Sequence, residues 1–290
     1  MTADVGARGR LRPLAPRIVG IPGWGVRVIS LVALVLLWQF AAQAAHSIFL
    51  PTPWLVAQAA WTLAFNARHT GGELIRGALA IDVSWGTFRL GDLPFHIGVT
   101  LVRALIAFVV AMVIGSFVGI TLGRSPLLNR IFDSWVVLGL NMPALVVAIL
   151  CYIYLGLNTW SLIVAVAINK IPLVAVTMRE GAAAIEPELM QVGRAFRLRR
   201  GVMLRKVFLP QLYPYFMASA RTGLALVWKI VLVFELLGFS TGVGFVLQLN
   251  WQLGNVDRLL AYAIGFIAVI MTIEALVTRP LERRATRWRL

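Results

Sequence analysis

The chain has 290 residues, of which 60 % are hydrophobic and 13 % are charged. An average soluble domain has about 25 % charged residues, so this composition excludes a soluble globular fold and predicts a protein that crosses a membrane several times. The net charge is +15. It does not indicate nucleic acid as a partner, because the basic residues lie mostly in short segments beside apolar runs.

Six apolar runs are candidate transmembrane helices, since a helix needs about 20 residues to span a bilayer. They cover residues 28–45, 104–123, 135–155, 160–177, 223–238 and 259–277. Pro143 is expected to kink the third run, because proline removes an internal hydrogen bond. A signal peptide is an alternative for the first run, because residues 41–45 resemble a small-residue cleavage site. The predicted fold is all-α, a polytopic membrane protein with six transmembrane helices.

Between the first two runs, residues 46–96 have a mixed composition. Pro51 and Pro53 are expected to end the first helix. Residues 54–65 carry aromatic side chains at helical spacing and are predicted to form an interfacial helix. Residues 66–94 are predicted to be an external loop with one short helix.

The second run is bracketed by Arg103 and Arg124 and contains Gly115, Gly119 and Gly123, each four residues apart. This spacing places three missing side chains on one helix face. The backbone of another helix is therefore expected to approach closely there.

The distribution of Lys and Arg predicts the topology. Six spans place both termini on one side, and the basic tails and loops place that side in the cytoplasm. The predicted organisation is a basic cytoplasmic tail, residues 1–27, and a single transmembrane domain, residues 28–290, with a cytoplasmic loop at 179–221. Four arginines on the other side are exceptions and lie in longer or acid-containing segments: Arg68, Arg76, Arg89 and Arg258.

The basic loop, residues 187–210, contains five arginines and one lysine although long apolar runs flank it. Its first residues are proline and glutamate, which are typical of a helix start. The helix is predicted to run to about Arg200 and to be broken at Gly201. Leu209-Pro210 is expected to stop the next helical segment.

The frame of this loop resembles that of the membrane-spanning subunits of bacterial ABC importers, in the group that handles nitrate, alkanesulfonates and taurine. Members carry a cytoplasmic loop that begins with the residues E-A-A. Three further residues separate E-A-A from a glycine, and after a spacer the loop closes with L-P. Here the frame runs from Gln191-Val192-Gly193 through Arg197 to Leu209-Pro210. The similarity covers roughly Pro51 to the C-terminus, and it extends to Pro143, Gly181, Pro214, Arg221, Glu235 and Gly242-Val243-Gly244.

The resemblance implies a type I ABC importer permease architecture and a chain that forms the translocation path for a small, anionic solute. It implies a cytoplasmic ABC ATPase dimer as a partner, with ATP and Mg bound there and no cofactor bound by this chain. The other implied partners are a second permease copy, in a homodimer or a heterodimer, a periplasmic or lipid-anchored solute-binding protein, and membrane lipid. The implied location is the bacterial inner membrane.

In the family, the loop forms a short coupling helix that sits in a groove of the ATPase. The residues that match this helix are Gln191, Val192, Gly193, Arg194, Arg197, Arg199 and Arg200. Departures from the family pattern include Gln191 in place of Glu, Gly193 in place of the second Ala, and Arg197 in place of Gly. The departures leave open which ATPase fits, and whether the chain is half of a heterodimer or an inactive copy. Gln191, Arg194 and Arg197 are expected to form a row on one helix face.

The chain has no phosphate-binding G-x-x-x-x-G-K-[ST] motif, so ATP hydrolysis is assigned to a separate subunit. Its three histidines, His46, His69 and His96, have no metal-ligand spacing, and no nucleophile motif is present. No catalytic or metal site is therefore predicted. Two alternatives stay open: a membrane scaffold or ATP-independent channel, and a membrane-embedded enzyme that uses Glu235 or Glu274.

Charged side chains inside spans are costly and usually face a cavity or a partner. Lys229 and Glu235 lie about 240° apart around a helix, so they are not expected to pair with each other. Lys229 either reaches the membrane surface or another helix, or it contacts an anionic solute in the path. Glu235 is expected to hold the turn at 240–244, and Asn141 is expected to link helices. Lys229, Glu235 and Asn141 are the three candidate residues of the translocation path. Lys170 is expected at the membrane surface.

Overall fold

The structure is a computed structural model that describes residues 23–45, 47, 49–79, 81, 89–278 and 280. Most of both predicted tails, together with residues 82–88 of the predicted external loop, therefore lies outside the described residues. The chain divides into two compact units, Met1–Pro53 and Trp54–Leu290. In the first unit, α1 (Gly23–Ala45) is one uninterrupted helix, and the indole of Trp38 donates a hydrogen bond to the carbonyl of Pro51 at 3.1 Å.

Beyond α1 the described chain is almost entirely helical. The helices are α2 (Pro53–Phe65), α3 (Gly71–Leu79), α4 (Asp92–Arg124), α5 (Pro126–Asn141), α6 (Ala144–Leu155), α7 (Thr159–Ala183), α8 (Pro187–Ala195), α9 (Arg200–Met203), α10 (Leu209–Leu236), α11 (Val243–Gln252) and α12 (Val256–Ile273). Five helices are long and apolar enough to cross a membrane, and the bent pair α5–α6 raises the number to six. The prediction of an all-α polytopic membrane protein is confirmed.

The glycine face of α4 packs directly on α7, as its spacing predicts. A Cβ atom at Gly115 would lie 2.6 Å from the Cβ atom of Val174, and one at Gly123 would lie 2.8 Å from the Cβ atom of Ala182. Such distances are shorter than atoms tolerate, so only glycine permits this helix spacing. This face lies in the contact between α4 and α7, which is the most extensive helix–helix contact among the described residues.

Gly115→Ala is expected to destabilise the protein by about 1–3 kcal/mol, because the added methyl group overpacks the α4–α7 contact. The matched control is Gly201→Ala, where the new methyl group meets no atom within 4 Å. Thermal unfolding in detergent micelles compares the two variants. Equal midpoints for both would contradict the close-packing explanation.

The predicted break at Pro143 is confirmed, and it is larger than a kink. Helices α5 and α6 meet at 96°, with Pro143 at the N-cap of α6. Proline cannot continue the hydrogen-bond ladder of α5, and the residue before it is restricted to extended conformations, as Met142 is (φ −67°, ψ 122°). The third span is therefore two helices, and the first of them begins at Pro126 behind the side-chain cap of Ser125.

The predicted loop at 66–94 contains a small sheet that the sequence pattern did not reveal. Strand β1 (Ala67–Thr70) pairs antiparallel with β2 (Arg89–Gly91). Between them, α3 starts with a capping box, in which Thr70 Oγ1 and Glu73 Oε2 each accept a hydrogen bond from the other residue's main-chain N–H. The hydrogen bond from Thr70 N–H holds the pKa of Glu73 below its usual value.

The predicted first residues of two other membrane spans are wrong, because these spans begin with polar segments. Helix α4 begins at Asp92 rather than at residue 104, so Arg103 lies inside the helix and does not bracket it. Helix α10 begins at Leu209 rather than at residue 223. Helix α11 was not predicted. These segments contain charged or polar residues that become buried by tertiary packing, and hydropathy alone therefore excluded them.

Leu209-Pro210 does not stop a helix, contrary to the prediction. The chain is continuously helical from α9 through a π-helical turn (Leu204–Phe208) into α10. A π-turn is wider than an α-turn, so the ring of Pro210 avoids the carbonyl that it would otherwise strike. Residues 200–236 thus form one helix of 37 residues.

The apolar core of the bundle consists of two main clusters. The first joins α4, α6, α7 and α10 and includes Ala107, Val166, Val227 and Phe234. The second joins α4, α7 and the start of α10, and it includes Met112, Val174, Met178 and Leu212.

Candidate translocation path and basic loop

Helix α8 of the basic loop ends earlier than predicted, at Ala195 instead of about Arg200. The main chain then makes two hydrogen bonds, from Leu198 N–H to Gly193 O at 3.0 Å and from Arg197 N–H to Arg194 O at 2.9 Å. These two bonds define a Schellman C-cap, whose key residue adopts a left-handed conformation. Gly201 is not a break, because it lies within α9.

Arg197 is the key residue of this cap. Its φ is +51°, and among the described non-glycine residues it is the one with positive φ. A left-handed conformation favours glycine. Backbone conformation therefore accounts for the glycine that the family pattern has at this position. Because Arg197 lies beyond the helix, the predicted row with Gln191 and Arg194 is not formed.

The predicted coupling residues are all exposed except Gly193, whose Cα faces the side chain of Met203. The exposed members are Gln191, Val192, Arg194, Arg197, Arg199 and Arg200. Sequence reasoning missed two apolar neighbours, Leu189 and Phe196, which with Val192 are 44 %, 77 % and 53 % exposed. Their spacing of three and four residues places them on one face of α8, a signal that is visible in the sequence.

A groove of about 400 Å³ lies between α10 and α12. Apolar side chains form most of its lining, and the charged residues that line it are Arg221, Lys229 and Glu274. Lys229 is exposed in the groove and makes no hydrogen bond or ion pair with the described residues. The ion pair with another helix that was one interpretation of Lys229 is thus not formed within the described part of the chain.

Glu235, the second candidate path residue, is fully buried and lies away from this groove. Its Oε1 accepts a hydrogen bond from Arg103 Nη1 at 2.8 Å, across α4 and α10. Its Oε2 accepts from Thr100 Oγ1 at 2.8 Å and from Gly244 N–H at 3.0 Å. Both carboxylate oxygens are therefore hydrogen-bonded, and Glu235 holds the turn at 240–244 as the sequence predicts.

Arg103 is equally well satisfied. Its guanidinium donates to the carbonyls of Gly77 and Thr241 at 2.7 and 2.8 Å and to the hydroxyl of Thr241 at 2.9 Å. The same turn contains Gly242, with φ +108°, where a Cβ atom would collide with the carboxylate of Glu235. The ion pair ties α3, α4, α10 and this turn together in one network.

The third candidate, Asn141, is exposed at the bend between α5 and α6, where its side chain donates to the carbonyl of Val137 at 2.8 Å. It lies in neither the groove nor the ion-pair network. Asn169 of α7 donates to the carbonyl of Met142 at 3.4 Å and links the bend to α7. Lys170 is buried, with 6 % of its surface exposed, so its predicted position at the membrane surface is wrong.

His69 and His96 are separated in sequence, but their ring centroids lie 6.2 Å apart. His69 contacts Asp92 at 3.0 Å, and the ring of His96 accepts a hydrogen bond from Gly242 N–H. Across the described residues, no group of three His, Cys, Asp or Glu side chains has the geometry to hold a metal ion.

A bundle of membrane-spanning helices with a buried ion pair, a mostly apolar groove that contains one exposed lysine, and a basic loop is consistent with a transport permease. The family described as "Binding-protein-dependent transport system inner membrane component" matches residues 111–286, and the chain belongs to this family. The match begins within α4 and includes the basic loop and the groove. The chain is a multi-pass membrane protein and a permease subunit of an ABC importer, and the ATPase of such transporters is a separate subunit.

Curated relatives are similar over most of their length. The taurine transport system permease protein TauC of Escherichia coli K12 is 28 % identical over 67 % of this chain and 70 % of its own. A putative aliphatic sulfonates transport permease protein, SsuC of Bacillus subtilis 168, is 27 % identical over 69 % and 72 %. The nitrate import permease protein NrtB of Synechocystis is 22 % identical over 83 % and 81 %.

Solved structures show the same fold. An inward-facing structure of the MetNI methionine ABC transporter superposes on this chain with a TM-score of 0.57 and 19 % identity. The superposition covers 67 % of this chain and 96 % of the other. The predicted type I importer architecture is confirmed at the level of the fold.

Proposed function

We propose that the chain forms one wall of the translocation path of an ATP-driven importer for a small anionic solute, and that the groove between α10 and α12 faces this path. The observation that carries the proposal is Lys229. Its amine is exposed on a membrane-spanning helix and has no partner among the described residues. A lysine at the bilayer centre costs about 2.5–3.5 kcal/mol. This face is therefore expected to meet water or another subunit, and not lipid tails.

A second permease copy across this groove would enclose it. In a homodimer, the symmetry would place a second Lys229 on the opposite wall and double the positive charge of the path. In a heterodimer, the other wall would differ. An anionic solute is favoured by either arrangement, because the groove has two cations, Arg221 and Lys229, and one acid, Glu274. The relatives include taurine, sulfonate and nitrate permeases, and each of these solutes carries a sulfonate or nitrate group that such cations bind.

The basic loop is the docking surface for the ATPase in this proposal. Leu189, Val192 and Phe196 form an exposed apolar stripe on α8. The arginines at 194, 197, 199 and 200 surround it. A central apolar patch with a charged rim is the usual composition of a protein interface. ATP and Mg are bound by the ATPase, and both termini and this loop lie in the cytoplasm, in accordance with the basic residues there.

The proposed function is tested by reconstitution of the permease into liposomes with its ATPase and its solute-binding protein. Taurine, ethanesulfonate and nitrate serve as labelled probes. We expect uptake of at least one of them, and we expect uptake to require both ATP and the binding protein. Uptake that continues without ATP would identify a channel, and uptake of none of the three solutes, each of which carries an anionic group, would refute the proposed solute class.

Arg197→Glu is expected to reduce co-purification of the ATPase by about ten-fold or more, because it reverses a charge on the proposed docking rim. Arg197→Gly is the matched control, since it removes the charge and relaxes the left-handed cap; it should retain far more ATPase than Arg197→Glu. Arg130→Glu reverses an exposed charge outside the basic loop and should have no effect. Unchanged recovery of the ATPase with Arg197→Glu would count against the docking surface.

A further inference from the structure

A polar cleft of about 690 Å³ opens at the end of the bundle where α4, α5 and α7 meet. It lies on the side that the basic residues assign to the cytoplasm, because α4 ends there at Arg124 and α7 ends there at Ala183. The basic loop and the groove between α10 and α12 contribute no residue to it, so the function proposed above does not use this cleft. Its charged lining consists of two cations and two acids: Arg130, Asp133, Arg179 and Glu180.

Two of these four charges are already paired with each other. Arg179 Nη1 donates a hydrogen bond to Asp133 Oδ1 and another to Asn129 Oδ1, at 2.9 Å, and these bonds tie α7 to α5. Arg130 and Glu180 line the same cleft and are exposed, and among the described residues they form no hydrogen bond or ion pair. The cleft therefore presents one unpaired cation on α5 and one unpaired acid on α7.

Helix α5 runs alongside α7 in the opposite direction. At the cleft Asp133 contacts Arg179, and nearer the bend a Cβ atom at Gly139 would lie 2.6 Å from Cγ of Pro172. Residue numbers thus rise along α5 while they fall along α7, so the two helices are antiparallel. The first turns of α5 form a wall of the cleft, and the rest of the helix follows α7 into the membrane-spanning part of the bundle.

The exposed side of α5 carries an apolar ridge that begins beside the cleft. Leu127, Ile131 and Trp135 are 68 %, 53 % and 68 % exposed. They lie four residues apart, so they share one helix face, and the ridge is about 12 Å long. The hydrocarbon of one membrane leaflet is about 15 Å thick, so an acyl chain is able to follow the ridge over most of its length. A phospholipid has the same arrangement, with charged groups at one end and apolar chains next to them.

We infer that this cleft binds the headgroup of a phospholipid that carries a primary ammonium group, with an acyl chain along the ridge of α5. Arg130 binds the phosphate and Glu180 binds the ammonium, so the headgroup joins α5 to α7. A cleft lined mainly by cations selects an anionic lipid. Here the four charges of the lining sum to zero, and a zwitterionic headgroup matches them. A primary ammonium is preferred to choline because it has N–H groups to donate to a carboxylate.

The test uses the full complex of permease and ATPase, stripped of lipid in detergent. It is titrated with phosphatidylethanolamine, phosphatidylcholine or phosphatidylglycerol, all with the same acyl chains, and native mass spectrometry counts the lipids bound to each permease chain. We expect one phosphatidylethanolamine per chain, bound about ten-fold or more tighter than either of the other lipids. Choline lacks the N–H donors, and the glycerol headgroup lacks the cation.

Two variants assign the roles within the cleft. Glu180→Gln should weaken the binding of phosphatidylethanolamine by about ten-fold or more and leave that of phosphatidylcholine unchanged. Arg130→Gln should weaken the binding of all three lipids, because each has a phosphate, while recovery of the ATPase stays normal because the cleft lies outside the basic loop. Glu188→Gln is the matched control, since it neutralises an exposed glutamate outside the cleft, and it should bind phosphatidylethanolamine normally.

Glycerophosphoethanolamine, which has the same charges but no acyl chains, distinguishes a lipid from a soluble ligand. It should bind about ten-fold or more weaker than the whole lipid, because it makes no contact with the ridge. Equal binding would assign the cleft to a soluble phosphate ester and overturn the inference. Equal affinity for phosphatidylethanolamine and phosphatidylcholine, tighter binding of phosphatidylglycerol, or an unchanged preference in Glu180→Gln would overturn it as well. These measurements do not involve the transported solute, so their outcome is independent of the proposed function.

Discussion

Glu235→Gln is expected to lower the free energy of unfolding by about 3–5 kcal/mol, the largest loss of stability that we predict for a single substitution. Glutamine has nearly the same shape as glutamate, but it leaves the guanidinium of Arg103 buried without a counter-charge. Removal of one partner from a buried ion pair typically has a cost of this size. Arg103 is 2 % exposed, and water therefore has little access to compensate for the lost charge.

Two further variants make this result specific. Glu274→Gln removes a glutamate that is only partly buried, and it should change stability by less than about 0.5 kcal/mol. The double variant Arg103→Met with Glu235→Leu removes both charges together and should recover part of the loss, as apolar replacement of buried ion pairs often does. Unfolding is followed in mixed micelles. A Glu235→Gln protein as stable as the parent would show that the pair is not an anchor.

Lys229→Ala is expected to reduce the rate of uptake by about ten- to 150-fold. A hydrogen bond to a charged group contributes about 1.5–3 kcal/mol, and this range of energy corresponds to that range of rates. Assembly with the ATPase and thermal stability should be unchanged, because the amine has no partner among the described residues. Labelled anion uptake into proteoliposomes measures the effect.

The matched control is Val233→Ala, an exposed residue one turn away on α10. It truncates a side chain on the same helix without a change in charge, and it should transport at nearly the normal rate. Lys229→Arg should also retain most of the activity, since it keeps the cation. Normal uptake by Lys229→Ala would exclude a path role and leave the interpretation that this lysine reaches the membrane surface.

The sequence predicts the number of spans, the break at Pro143 and the glycine face of α4, because each depends on local chemistry. Apolar runs, the missing N–H of proline and the missing side chain of glycine have the same structural effect wherever they occur in a chain. The basic loop could also be located, since its composition contrasts with the flanking runs.

The buried ion pair could not be predicted in the same way. Arg103 and Glu235 are 132 residues apart, and only tertiary packing brings them together. A partial signal does exist in α4, where Asp92, His96, Thr100 and Arg103 follow one another at helical spacing. Such a stripe indicates a polar face inside a span. Hydropathy hides it, because the same residues lower the apolar average and move the predicted start of the helix to residue 104.

The basic loop shows a second limit. A helix was predicted to continue to about Arg200, because Gly201 was expected to break it. The structure instead places Arg197 in a left-handed cap, at a local cost of about 1–2 kcal/mol. Local preference gave the wrong end of the helix here, because the two cap hydrogen bonds and the packing of Met203 on Gly193 outweigh it.

The uninterrupted helix from residue 200 to residue 236 has a mechanical consequence. Its length is about 55 Å, and one end is pinned by the Arg103–Glu235 ion pair while the other carries the exposed basic loop. The pinned end is a pivot and the rest of the helix is a lever arm. A tilt of about 5° at the pivot displaces the loop by about 5 Å, and the π-turn at Leu204–Phe208 and Pro214 inside α10 are places where this lever is able to flex.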